Sequence, residues 1–157
     1  EIARQIQQQQ PELGIDIIFL DAEDYGTHQA SGKHQEDSWC LGSQYWARNP
    51  HVPGYNARFG ILLDMVGGQQ PTFYRESYSE KYGKYFIDEV MGGATDDHLF
   101  INEIAGIKTI DIIPCDPEGE YSFDPTWHTI KDDMDNIDRN TLKAVGQTVM
   151  GVIYNEK

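Results

Sequence analysis

Apolar and polar positions along the chain fall into short β-branched runs separated by longer amphipathic stretches. The first run, Ile15-Asp16-Ile17-Ile18-Phe19-Leu20, has no helical stripe and predicts a strand buried on both faces. Residues 57–66 predict a second strand, broken by Gly67-Gly68, and residues 107–113 a third. Helical patterns lie around them. Residues 1–10 hold strong helix formers without an N-cap, and Pro11 ends them, so the chain reads as starting inside a helix of a longer protein. A helix is predicted over 41–49, with Trp39, Tyr45 and Trp46 as bulky anchors and Asn49-Pro50 as its stop. Further helices are predicted from about Glu80 to Met91, over 98–105 behind a Thr95-Asp96-Asp97 cap, and over 140–154. Leu142, Val145, Val149 and Val152 form the apolar side of the last. Residues 25–37 and 114–125 read as loops, the first longer than an ordinary strand-to-helix connection. Strands alternating with helices predict an α/β fold with a mostly parallel sheet flanked by helices.

With 157 residues the chain is long enough for one domain with a real core. Its 39% hydrophobic content, with nine tyrosines, six phenylalanines and three tryptophans, marks it as globular rather than disordered. Twenty-six acidic residues against twelve basic ones give a formal net charge of −14. That argues against nucleic acid and anionic membranes as partners and is compatible with cations such as metals, amines and peptide N-termini. Cys40 and Cys115 are too few for a disulfide framework and read as small buried hydrophobes. No apolar run approaches the length of a membrane span.

The chemistry gathers at the predicted strand ends. Asp21, Glu23 and Asp24 follow the first strand, Asp64 lies near the end of the second, and further loops hold Asp96, Asp97, His98 and Trp127-His128. Ends of parallel strands open on one edge of the sheet, where such folds bind ligands. Carboxylates this close repel one another once desolvated, so one must take a metal, a cation or a proton; otherwise they form a solvated acidic turn. Asp, Glu and His together can ligate zinc, and a neighbouring Glu outside the ligand set can serve as general base and acid. Taken singly, His98 reads as a packing residue at a helix start. His28, His34 and His51 read as surface, Trp39 and Trp46 as a buried helix face, and Asp132, Asp133, Asp135 and Asp138 as a solvated approach to the last helix.

In order along the chain come Asp21-Ala22-Glu23-Asp24, Asp37-Ser38-x-x-Leu41-Gly42-Ser43, Leu63-Asp64-Met65-Val66-Gly67, Asp97-His98 and Trp127-His128-Thr129-x-x-Asp132. This order resembles the α/β zinc exopeptidases related to bacterial leucyl aminopeptidase, and within them the animal-type glutaminyl cyclases and their bacterial relatives. The Asp-Ser-x-x-Leu-Gly-Ser stretch, the sixteen or more residues between Asp24 and that Gly-Ser, and the Trp-His-Thr signature favour the cyclase branch. The resemblance covers residues 1–157 as the C-terminal portion of a single catalytic domain, a three-layer sandwich of the phosphorylase-hydrolase-like type whose N-terminal half is missing here.

The resemblance implies that Glu23 transfers the proton, that Asp24 and His128 ligate one zinc ion, and that Asp64 acts as a hydrogen-bonding acid. In an aminopeptidase Asp64 would instead hold a second zinc. It places Asp96, Asp97 and Asp111 in a buried acid network, and Phe123 and Trp127 at the substrate pocket. The family's third zinc ligand, an Asp before the first helix, and its upstream His-x-Asp motif are absent from this sequence. A site within residues 1–157 is therefore expected to be incomplete, or to borrow a ligand from another chain or solvent. Asp111 stands where the animal enzymes carry a His, so the network must be wired differently. The implied substrate is a peptide or protein N-terminal glutamine and the implied location periplasmic or secreted. Three functions follow: a zinc-dependent cyclotransferase, a two-zinc aminopeptidase, or an inactive binding module.

Overall fold

A computed structural model of the chain describes residues 1–27, 32–33, 35–75, 87–90, 92–115, 123 and 125–156. Helix α1 spans Ile2–Gln8, α2 Leu41–Arg48, α3 Asp97–Phe100 and α4 Arg139–Asn155. Strand β1 spans Gly60–Leu63, β2 Tyr74–Arg75, β3 Ile87–Val90 and β4 Thr109–Ile112. Between α3 and β4 the helix widens into a π turn, Ile101–Ala105, and 3-10 turns form at Glu23–Tyr25, Glu36–Ser38 and Met134–Asn136. The described residues contain no helix long and apolar enough to cross a membrane.

The chain divides into two compact units. One comprises Phe19–Asp64 and Tyr74–Ile112. Its β1 and β4 pair in parallel, Gly60 opposite Thr109 and Leu63 opposite Ile112, as the alternation of strands and helices predicts. The pair is closed at its ends by Gly60 N–H donating to Lys108 O (2.8 Å) and Asp64 N–H to Ile112 O (3.2 Å). Helix α3 packs on both strands, and α2 packs on α3 and the π turn. Cys40, Ser43, Gln44, Ala47, His98, Ile107, Thr109, Asp111 and Ile112 are buried in this unit. A single side chain locks α3 to β4. The Asn102 amide donates to the carbonyls of His98 (2.8 Å) and Thr109 (2.7 Å) and accepts from Thr109 N–H at 3.1 Å.

The other unit comprises Glu1–Ile18, Met65–Phe73 and Ile113–Lys157. Here α4 is capped by Asp138, which accepts from Asn140 N–H at 2.8 Å. It buries Thr141, Val145, Val149 and Ile153, an i, i+4 row. Leu142, expected on that side, is 44% exposed, and Val152 only half-buried. The true stripe is thus rotated by about a residue and uses Thr141, which an apolar-only pattern passes over. Asp138 N–H donates to Gly67 O (2.8 Å) and Tyr154 hydroxyl to Gln9 O, tying α4 to the 65–73 loop and to the segment after α1.

Three expectations change. Residues 15–20 form no strand: among the described residues none pairs along them, and Phe19 is 93% exposed, Ile17 47%. An apolar run predicts burial, but a strand exists only through its hydrogen-bonded ladder. The helix expected from Glu80 to Met91 is a strand at Ile87–Val90, paired in parallel with β2 through an irregular register. β-branched residues at both ends of that segment favour extended backbone. The remainder of the predicted helix, 80–86 and 91, lies outside the described residues. Tyr45, read as an anchor, is 69% exposed, whereas half-buried Trp46 sets its ring edge-on to Tyr55, centroids 5.4 Å apart.

The close pairing of β1 and β4 sets a test. A Cβ on Gly60 would lie 2.5 Å from Thr109 Oγ1 and 2.9 Å from its Cγ2. Gly60→Ala in the complete protein is expected to lower unfolding free energy by about 1–3 kcal/mol, as overpacking does. Equilibrium denaturation measures it, and Gly60→Ala with Thr109→Ser recovers part of the loss.

Candidate active site

Glu23 and Asp24 stand on a 3-10 turn entered through Ala22, which holds φ at 54°. The turn is clamped to the start of α2. Cys40, Leu41 and Gly42 donate their N–H groups to the carbonyls of Glu23 (2.9 Å), Ala22 (3.1 Å) and Asp21 (3.0 Å). A helix N-terminus leaves such amides without intrahelical partners. No side chain caps α2, and the antiparallel-like run of carbonyls takes that role. Cys40 also adopts the left-handed conformation, φ 53°, so two non-glycine residues face each other in a costly region to make the clamp. Gly42 is required by it: a Cβ there would lie 2.3 Å from Asp21 O. The Asp-Ser-x-x-Leu-Gly-Ser stretch thereby acquires a physical meaning. Ser38 Oγ accepts from Thr27 N–H at 3.0 Å, closing the loop, while Gln44 donates to the carbonyls of Asp37 (3.0 Å) and Trp39 (2.9 Å). Ser43 hydroxyl donates to Cys40 O at 2.9 Å.

Acidic groups converge beside this turn. Ligand atoms of Glu23, Cys40 and Asp96 lie within 4.8 Å of one another, and so do those of Asp96, His98 and Asp111. Asp96 belongs to both groups. It caps α3, accepting from Asp97 N–H, and is 5% exposed. Burial pushes the Asp96 carboxyl up; the Asp97 amide and His98 counter this. Burial likewise raises Asp97, with Asp96 adding repulsion. Glu23, half-buried, is pushed up to about 8 by burial first, then by its hydrogen bond with Asp24 and by the charges of Asp24, Asp96 and Asp64. Asp24 itself is exposed, and Asp64, immediately after β1, is half-buried. Cys40 is fully buried, and burial beside Asp97, Asp96 and Glu23 holds its thiol firmly protonated.

The other unit carries Phe123, Trp127 and His128. Phe123 and Trp127 meet with ring centroids 4.9 Å apart, and Trp127 stacks on His128 at 3.9 Å with an interplanar angle of 19°. His128 is exposed, with φ 56°. Asn136 amide donates to Thr126 Oγ1 at 2.8 Å, closing the loop that presents this pair.

The structure thus brings together Glu23 and Asp96, and Asp96 and Asp111, with Asp24 and Asp97 adjacent through hydrogen bonding and sequence; it groups Phe123, Trp127 and His128 separately. Sequence reasoning passed over Cys40 and His98 as packing residues. Cys40 does pack, but it also forms the floor beneath Glu23; its place just before the Leu-Gly-Ser stretch was the available signal. Cys115 is half-buried, and neither cysteine forms a disulfide. His51 is exposed, as its loop position suggested, whereas His28 and His34 lie outside the described residues.

An α/β unit with acids massed behind a strand end and a helix start is the arrangement of a zinc exopeptidase-like protein. The chain belongs to peptidase family M28, which it matches over residues 1–153. It is 67% identical to glutaminyl cyclase of Bacteroides thetaiotaomicron, solved with bound N-acetylhistamine, with a TM-score of 0.91 over 99% of this chain and 59% of that one. A leucine aminopeptidase precursor from the same organism is 65% identical, with a TM-score of 0.89 over 99% of this chain and 58% of that one. The glutaminyl-peptide cyclotransferase of Bos taurus is 26% identical over 174 aligned residues, 88% of this chain and 45% of the relative. The chain therefore spans less than two thirds of these relatives.

The raised Asp97 carboxyl makes stability depend on pH. A carboxyl favoured in its neutral form by burial contributes its full stability below the unfolded value, near 3.9, and loses it as pH rises through the folded value. Asp97→Asn cannot ionise. Its unfolding free energy relative to the parent is expected to improve as pH rises above about 4, with a limiting slope of about 1.4 kcal/mol per pH unit. Urea titrations of both proteins between pH 3 and 7 measure the difference, and a pH-independent difference contradicts the assignment.

Proposed function

We propose that the complete protein is a zinc-dependent glutaminyl-peptide cyclotransferase, converting an N-terminal glutamine to pyroglutamate with release of ammonia. The observation that carries this reading is the clamped turn that sets Glu23 beside Asp96 with their ligand atoms within 4.8 Å. A carboxyl held there can take a proton and return it. In the reaction the substrate's α-amine forms a bond to its own side-chain amide carbon. Glu23 accepts the proton released by the amine and passes it to the departing nitrogen, which leaves as ammonia. The nucleophile belongs to the substrate, so the protein needs no activated serine or thiol, in keeping with a Cys40 thiol held protonated. Asp96, Asp97 and Asp111 keep Glu23 oriented and Asp64 contributes a hydrogen-bonding acid, while the resemblance implies that Trp127 and Phe123 serve the glutamine side of the substrate.

The resemblance implies Asp24 and His128 as the zinc ligands, an oxygen and a nitrogen donor of the kinds zinc accepts. Zinc bound there would polarise the amide oxygen as a Lewis acid. The two close-packed donor groups suit a catalytic metal less well. One includes fully buried Cys40, and Asp96, His98 and Asp111 are all buried, leaving no open position for a substrate. The glutaminyl cyclase relatives support the substrate class, a peptide or protein N-terminus, and the resemblance implies a periplasmic or secreted location.

The similar leucine aminopeptidase precursor favours a second reading, a two-metal aminopeptidase in which Asp64 is a ligand. Mass spectrometry of a Gln-initiated peptide incubated with the zinc-loaded protein separates the two. Loss of ammonia from an otherwise intact peptide, abolished by chelation, is expected. Glu23→Gln is expected to lower kcat by about 100- to 10,000-fold with a much smaller change in KM. Release of the first residue, with two metals per protein, establishes the aminopeptidase instead.

A further inference from the structure

His98 has no task in the chemistry above, yet it heads the wholly buried side chains, with no measurable exposure. Its Nδ1 lies 3.6 Å from Asp111 Oδ2, both side chains fully buried. Polar atoms of His98, Asp111 and Asp96 lie within 4.8 Å of one another, and those of Asp96 and Glu23 are equally close. Two carboxyls at this depth cannot both ionise without a compensating partner. An imidazole provides N–H donors, a compensating charge, or both.

The backbone shows that this placement is built. The Asn102 amide holds the carbonyl of His98 and both backbone groups of Thr109, two residues before Asp111 on β4. The π turn Ile101–Ala105 supplies the offset that lets Asn102 reach both, and Gly106, at φ 68°, returns the chain to β4. Turns of this kind recur at functional sites. One amide thus sets the register between the helix carrying His98 and the strand carrying Asp111.

We propose that His98 is a positioning residue: its ring, seated on Asp111, fixes the orientation of Asp96 and through it that of Glu23. The role is indirect, exerted through Asp111 and Asp96. It rests on the cyclase reading for its catalytic consequence and on the geometry alone for the His98–Asp111 pairing. Asp111 and His98 together supply the acid–imidazole combination that the sequence resemblance expected from a histidine at position 111.

The test uses the complete, zinc-loaded protein with His98→Gln, His98→Phe, Asp111→Asn, and the Gln/Asn double variant. His98→Phe is expected to lower kcat by about 10- to 100-fold with KM within about twofold, as misplacement of a reacting group does. His98→Gln, which keeps a donor, recovers part of this. The double variant loses less than the product of the single losses, because both act on Asp96. Unchanged kcat in folded His98→Phe, or strictly multiplicative losses, overturns the proposal. Nitrogen-15 NMR supplies a readout independent of turnover: the His98 Nδ1 resonance shifts in Asp111→Asn while those of His51 and His128 stay. An unmoved His98 resonance also overturns it. A parent protein without cyclisation defeats the cyclase reading, and the NMR comparison then decides the His98–Asp111 pairing by itself.

Discussion

The mutual repulsion of desolvated carboxylates is the constraint on which the site depends. Glu23, Asp96, Asp97 and Asp111 stand within a small volume, and three of them are almost without exposure. Water would screen such charges; burial does not. Protons and hydrogen bonds take the place of water here: the Asp97 amide on Asp96 and Asp24 on Glu23. A carboxyl group whose pKa is raised toward neutrality is the product of that arrangement, and proton transfer is the use to which it lends itself.

Such crowding requires a stiff frame, and the frame is made of backbone. Three amides at the start of α2 grip three successive carbonyls of the Glu23 turn. Strained conformations at Ala22 and Cys40 are the cost of that grip, and Gly42 makes it sterically possible. On the far side, the Asn102 amide performs the equivalent task between α3 and β4. The acids are thus held from two directions by groups that carry no charge.

Much of this was legible in the sequence, for definable reasons. The strands at 60–63 and 109–112, and helices α2 and α4, followed from periodicity and end signals that are local, whereas the partnership of the two strands is a finding of the structure. Asp96 as a helix cap was readable from its place before His98. The ordered motifs gave the family. Segment 15–20 was misread because hydrophobicity reports a demand for burial and not the partner that meets it. Ile87–Val90 was misread because helix propensity lost to pairing with a two-residue strand. The Glu23–Cys40–Asp96 grouping joins residues far apart in the chain, and no single-sequence pattern records a positive φ at Ala22 or Cys40.

The π turn between α3 and β4 makes segment length a constraint in its own right. A π turn is equivalent to one residue inserted into an α-helix, and each residue of an α-helix turns the chain by about 100°. Deleting any one of residues 101–105 would restore ordinary helical winding and swing Asp96 and His98 by roughly that angle about the helix axis relative to Asp111. Composition could survive such a deletion almost unchanged while the acid cluster came apart. Along this stretch, evolution can exchange side chains more readily than it can gain or lose a residue.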